Sequence, residues 1–195
     1  MKPFYAEIPT MQPTQLTSKR CPILGIGALI AIAAAAYFIL APSKPLVLTP
    51  DVLAGVTPAD TFKRVAGDGK RPLHLFISVD CTFCRQIEPE VQKLENVTVY
   101  YHLLPGHSPA ARQEAQHVWC ALDQAGAWAS IAGGGAVTAS SCNDTALDRN
   151  LALAKGLGIE RTPAIVFADG KVMTGAQSSD VLARGLLSSE FSKGR

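Results

Sequence analysis

Charge is scarce in this 195-residue chain. Asp, Glu, Lys and Arg make up 17% of it, and 18 basic against 16 acidic side chains leave a formal charge of +2. That is too small for the basic footprint of a nucleic-acid binder. Cysteine is limited to five residues, too few for a fold held by disulfides alone. Glycine follows no three-residue period and no apolar heptad is sustained, which excludes collagen-like and coiled-coil chains. Apolar residues are not in short supply: they are 48% of the chain, and a disordered chain would have far fewer. The length suits about one domain on a prior of ~150 residues each.

The apolar residues are unevenly spread. Residues 22–42, PILGIGALIAIAAAAYFILAP, contain no charge. A helix of ~20 such residues spans the hydrocarbon core of a bilayer with every backbone group bonded internally. Lys2, Lys19 and Arg20 against Glu7 precede it, so the positive-inside bias puts residues 1–21 in the cytoplasm as a tail. A cleaved signal peptide is the alternative, with Ala34 and Ala36 forming an A-x-A pattern. The run is longer than the usual ~7–15-residue signal core, which favours a retained anchor. Gly27, Ala31 and Ala35 recur at i+4, a small-residue face through which two anchors could pair weakly. Cys21 reads as a free thiol beside the membrane.

Beyond the run, residues 43–56 hold Pro45 and Pro50 without clear periodicity and read as a tether. Residues 57–195 read as one α/β domain. Thr57-Pro58-Ala59-Asp60 has the form of a helix start, with that helix ending by Gly67. Residues 73–79 (LHLFISV) have the near-continuous apolar character of a central strand. Cys84, Ile87, Val91 and Leu94 then form one helical stripe, with Glu88, Glu90 and Lys93 off it. Residues 97–104 (VTVYYHLL) read as a second strand, completing a βαβ unit. Helix is expected through most of residues 109–132, broken by Gly133-Gly134-Gly135, and again from Asn143 or Asp144 to Gly158. A short strand (164–167), an Asp169-Gly170 turn, a returning strand (171–173) and a helix capped by Ser178 or Ser179 close the chain.

Cys81-Thr82-Phe83-Cys84 falls where the first strand ends and the helix begins. A thiolate at Cys81 would meet unpaired helix N–H groups and the positive end of the helix dipole, so its pKa is expected below the free value of ~8.5. Cys84 lies about one turn on and can reach Cys81. Such a pair exchanges with a substrate disulfide: Cys81 attacks, a mixed disulfide forms, and Cys84 resolves it. Asp80 works against the thiolate, weakly if it is solvated. A zinc site would need four ligands, and no second CxxC supplies them. A structural disulfide is the other bland reading, disfavoured by the strand-to-helix position. Pro163 directly precedes a strand, which explains a proline there without requiring a cis bond. His74, His102, His107 and His117 show no ligand spacing and are expected to be structural.

Taken together, FISVDCTFC, VWCALDQAGAW, Cys142, LGIERTPAIVF with its DG hairpin, and GAQ before the last helix resemble the DsbC/DsbG group of periplasmic thiol:disulfide interchange proteins. The resemblance covers roughly residues 60–190. It implies a thioredoxin-like fold with a helical insertion. It implies a cis Thr162-Pro163 bond facing Cys81 and lining the substrate site, and a structural disulfide between Cys120 and Cys142. It implies substrates that are proteins carrying disulfides, a membrane thiol reductant of the DsbD type as electron source, and no metal or organic cofactor. Exported thiols tend to pair, and Cys21 is then the odd cysteine left on the reducing side. Only ~30 residues separate Ala41 from Arg71, fewer than the ~40 a small domain needs, so the dimerisation domain of the dimeric members is not expected here. The function expected is a membrane-anchored periplasmic disulfide isomerase or reductase. The alternatives are a disulfide-forming oxidase, or a chaperone or assembly factor with a dispensable CxxC.

Overall fold

The computed structural model describes residues 46–56 and 58–193. The tail expected over residues 1–21 and the anchor expected over residues 22–42 lie outside the described residues. Among the described residues no helix is long and apolar enough to cross a membrane.

Five strands form one sheet in the order β1-β3-β2-β4-β5. They are β1 (Phe62–Ala66), β2 (Arg71–Ser78), β3 (Val97–Leu104), β4 (Ala164–Phe167) and β5 (Val172–Thr174). The central pair β2 and β3 run parallel, joined by helix α2 (Thr82–Gln92), and the other neighbours are antiparallel. Between β3 and β4 come α3 (Pro109–Trp119), α4 (Gln124–Ala132) and α5 (Thr145–Gly156); α6 (Ser179–Lys193) follows β5. A short helix α1 (Pro50–Ala54) precedes the sheet.

Both faces of the central strands are covered, which explains their unbroken apolar sequence. Leu73, Leu75 and Ile77 of β2 pack on one face with Ile87 and Val91 of α2 and Leu182 and Leu186 of α6. Phe76 points to the other face, where it meets Ala154 and Leu157 at the end of α5 with Ala164 and Val166 of β4. The apolar stripe of α2 and the strand of residues 97–104 therefore sit where their periodicity placed them. The single helix expected over 109–132 is interrupted at residues 120–123, and the two helices are capped separately, α3 by Ser108 and α4 by Asp123.

Two expectations are corrected. The helix expected from Thr57 to Gly67 is a 3-10 turn at Pro58–Asp60 followed by β1. The capping signal closes one turn only. From Phe62 onward burial alternates, with Phe62 inside and stacked on Tyr101 at 5.0 Å between ring centres. Pairing with β3 outweighs local helix propensity. The segment read as a tether is also fastened to the domain, at residues 46–48 and at Val56. Val47 bridges to Lys171, Leu48 N–H donates to the Gly170 carbonyl (2.8 Å), and Leu48 and Val56 are buried with Phe76. Gly170 (φ +82°) is required there, because a Cβ would lie 2.2 Å from the Leu48 carbonyl oxygen. Residues too far apart for any periodicity make these contacts, so no local pattern announced them.

Candidate active site

The β2–α2 junction places the dithiol. Cys81 is the N-cap of α2 in extended conformation (φ −90°, ψ 110°), and the Cys84 N–H donates to its sulfur at 3.2 Å. A sulfur in this position occupies the place of a capping oxygen, where orphan helix N–H groups and the dipole favour negative charge. Arg85 fastens the turn by donating twice to the Val79 carbonyl, at 3.0 and 2.8 Å. Cys81 is partly exposed and Cys84 is buried; neither is in a disulfide. Burial, and then the Cys81 sulfur beside it, push the Cys84 thiol well above the ordinary cysteine range. Two cysteines of the same type thus become chemically unlike.

The loop before β4 comes back across this junction. The Thr162-Pro163 bond is cis, and the Cys81 thiol donates to the Thr162 carbonyl at 3.3 Å. Some eighty residues of sequence separate the two, and only the β2–β4 pairing brings them together. Next to them opens a cleft of about 840 Å³, lined among others by Phe83, Leu104, His107, Leu151, Ile159 and Thr162. Phe83, between the two cysteines, is 58% exposed. Cys120 and Cys142 form a disulfide that ties the end of α3 to the approach of α5. Among the described residues no group of three His, Cys, Asp or Glu side chains could hold a metal ion.

Residues 58–187 match the thioredoxin-like domain. The chain belongs to the thioredoxin-like domain family. It is 34% identical over 120 residues to the probable thiol:disulfide interchange protein DsbC of Bordetella pertussis, covering 62% of this chain and 43% of that one. It is 32% identical over 116 residues to the thiol:disulfide interchange protein DsbC of Salmonella typhimurium, covering 57% and 48%. The chain therefore spans somewhat less than half the length of these curated relatives. A disulfide interchange protein from Neisseria gonorrhoeae superposes with a TM-score of 0.60 at 29% identity, over 67% of this chain and 99% of the solved one.

Several polar residues of this thioredoxin-like domain have roles that sequence periodicity did not show. Glu88 is 3% exposed, not on an outer face. Its carboxylate accepts from Trp128 Nε1 (2.7 Å), Tyr101 OH (3.2 Å) and Gln92 Nε2. Burial raises its pKa, and the three donors partly offset that. Its position four residues after Cys84 was the available signal, since i and i+4 share a helix face.

His74 and His102 likewise come together, their rings 3.0 Å apart from Nδ1 to Nε2, because parallel register sets β2 beside β3. His102 Nδ1 donates to Asn150 Oδ1, whose amide nitrogen is committed to the Asp60 and Leu103 carbonyls. Burial lowers both imidazoles to about 4.

The unfolded chain, with histidines near ~6.5, binds more protons than the folded one between that pH and about 4. Stability is therefore full above the unfolded value and is lost as pH falls through this window. For His102 the loss should be about 2–3 kcal/mol between pH 7 and 4.5. Urea unfolding at the two pH values measures it. A His102→Gln variant should lose most of that difference, and an unchanged pH dependence in the variant would refute the assignment.

Closing a 22-residue loop constrains the unfolded chain, so replacing Cys120 and Cys142 with serine should cost about 3 kcal/mol. Urea unfolding of the oxidised protein against the double variant checks this.

Proposed function

We propose that the protein is a thiol–disulfide oxidoreductase acting on proteins, with Cys81 as nucleophile and Cys84 as resolving thiol. One observation carries the reading: the sulfur of the partly exposed Cys81 caps α2, receives the Cys84 N–H, and faces the Thr162 carbonyl. The Cys81 thiolate attacks one sulfur of a substrate disulfide, and the other substrate sulfur leaves as thiolate. The Cys84 thiol then gives up its proton and attacks Cys81. The second substrate sulfur departs, the substrate has gained two electrons, and Cys81–Cys84 is the disulfide. If the first released substrate thiolate instead attacks another disulfide of the bound chain, and the thiolate freed there attacks the substrate sulfur held by Cys81, Cys81 leaves as thiolate, the substrate is isomerised and the pair stays reduced.

Thr162 and Pro163 form an edge against which an extended substrate segment pairs, and the adjoining cleft receives a flanking apolar side chain. No metal or organic cofactor enters these steps. The wider reading has residues 22–42 as an inner-membrane anchor, the domain in the periplasm, and a membrane thiol reductant of the DsbD type re-reducing Cys81–Cys84. The likeness to DsbC proteins supports an isomerase or reductase over an oxidase.

Alkylation trapping of the protein in its own membrane tests that choice. The pair should be found mainly reduced, and the purified protein should reactivate a substrate with scrambled disulfides. A pair found mainly oxidised, with no reactivation, would instead mark an oxidase.

A further inference from the structure

Asp80 immediately precedes the nucleophile, and although it reaches solvent, the protein bonds both of its carboxylate oxygens. Its side chain is 28% exposed. One carboxylate oxygen accepts from the buried Ser78 hydroxyl; the other accepts from His107 N–H at 2.8 Å and faces His107 Nδ1 at 3.1 Å. These donors come from both sides of the junction, the end of β2 and the loop after β3. That loop reaches the carboxylate through Gly106 (φ +78°), where a Cβ would lie 2.5 Å from the Ala111 Cβ and 3.4 Å from Asp80 Oδ2. The same loop lines the cleft that Phe83 and Thr162 share.

We infer that Asp80 is a positioning residue that sets the reducing power of the dithiol, by fixing one negative charge beside Cys81 and bonding it to the cleft wall. The inference rests on Cys81 being the attacking sulfur, and deepens that reading. Only the reduced state can place a thiolate at Cys81; the disulfide carries no charge there. A nearby fixed anion therefore disfavours the reduced state alone. In the balance of reduced protein and glutathione disulfide against oxidised protein and two glutathiones, Asp80 pushes toward the oxidised protein, so the protein gives up its electrons more readily. This is the direction a reductase or isomerase needs and the opposite of what an oxidase needs.

Partial burial acts to raise the Asp80 pKa, but the bonds from Ser78 and His107 together outweigh it and hold the carboxyl below the usual range. Other charged groups at this end of the sheet are Arg85, 3.8 Å from Glu114, and Lys155, Glu160 and Arg161 around the cleft. Their mixed signs leave Asp80 as the anion bonded next to the dithiol.

The test is Asp80→Asn, which keeps an acceptor for the His107 N–H and removes the charge. Iodoacetamide alkylation of Cys81 at about pH 6 should speed up by about three- to tenfold, the effect of removing one charge from the adjacent residue in a half-wet site. The whole pH profile should move to lower pH, and the equilibrium with glutathione should shift by a similar factor toward reduced protein. Both effects should shrink in about 1 M salt. A merely structural role would not move a pH profile and a redox equilibrium together in this sense. A folded Asp80→Asn protein with an unchanged profile and equilibrium overturns the inference.

His107→Ala is the companion variant, safe for folding because its side chain is 86% exposed. Losing the Nδ1 partner leaves the anion less compensated, so alkylation at pH 6 should slow, by about twofold. An unchanged or faster rate counts against the inference even if Asp80→Asn fails to fold. Failure of the underlying reading is distinguishable: there Cys81→Ala would retain interchange activity, whatever the Asp80 variants do.

Discussion

Disulfide interchange is expected to stop when Cys81 is replaced by alanine. The rate of scrambled-substrate reactivation should fall by on the order of a thousandfold or more, the scale of losing a covalent nucleophile. The reason lies in how differently the fold treats its two thiols. Cys81 is partly exposed at a helix start with an N–H donated to its sulfur, whereas Cys84 is buried with its thiol pushed well above the ordinary range. Cys84 cannot take over the attack, because it neither ionises readily nor reaches solvent.

The Cys84→Ala variant should behave differently. Attack by Cys81 continues but resolution fails, so mixed disulfides with substrate accumulate through Cys81 and are visible on non-reducing gels. The two variants separate the roles. Activity retained in Cys81→Ala would point to a binding module whose dithiol is dispensable, and absence of trapped species in Cys84→Ala would contradict the division of labour.

Glu88→Ala should be strongly destabilising although it lies outside the dithiol. The carboxylate holds three elements together: its own helix α2, Tyr101 of β3 and Trp128 of α4. Tyr101 is 1% exposed and Trp128 is fully buried. Removing the shared acceptor strands both donors away from water, at about 1–3 kcal/mol each, and leaves a cavity. A total near 3–5 kcal/mol is expected from urea unfolding at neutral pH. Glu88→Gln keeps one acceptor oxygen but turns an NH₂ toward a donor, so it should cost less, about 1–2 kcal/mol. A loss below about 1 kcal/mol in Glu88→Ala would show that the helical insertion is held by apolar packing alone. Trp128→Phe gives an independent check, since it keeps much of the ring's packing and removes one bond to the same carboxylate.

These predictions depend on residues that differ in how well the sequence announced them. Cys81 and Cys84 were legible because their meaning depends on a strand, a turn and a helix that follow one another in the chain. Hydrophobic periodicity is a local signal, and it was strong on both sides of the motif. Glu88 was misplaced for the opposite reason. A charged residue is assigned to the outer face unless its partners are known, and those partners lie on β3 and α4. Asp80 was legible as an opposing charge, but its strength was not, since solvation depends on Ser78 and on a loop nearly thirty residues on. The false helix at residues 57–67 shows the same limit: a capping pattern is local, and the edge of β3 that recruits Phe62–Ala66 is not.

The chain alone thus determined the α/β class, the unbroken apolar strands buried on both faces, and the dithiol at a helix start, since each follows from neighbours within one or two turns. Tertiary structure decided that Thr162 faces Cys81, that residues 46–48 close the β5 edge, that the two histidines pair, that both Asp80 oxygens are bonded, and that Glu88 is buried. Those facts depend on strand register and loop return, which set distances between residues far apart in the chain and so leave no periodic trace in it.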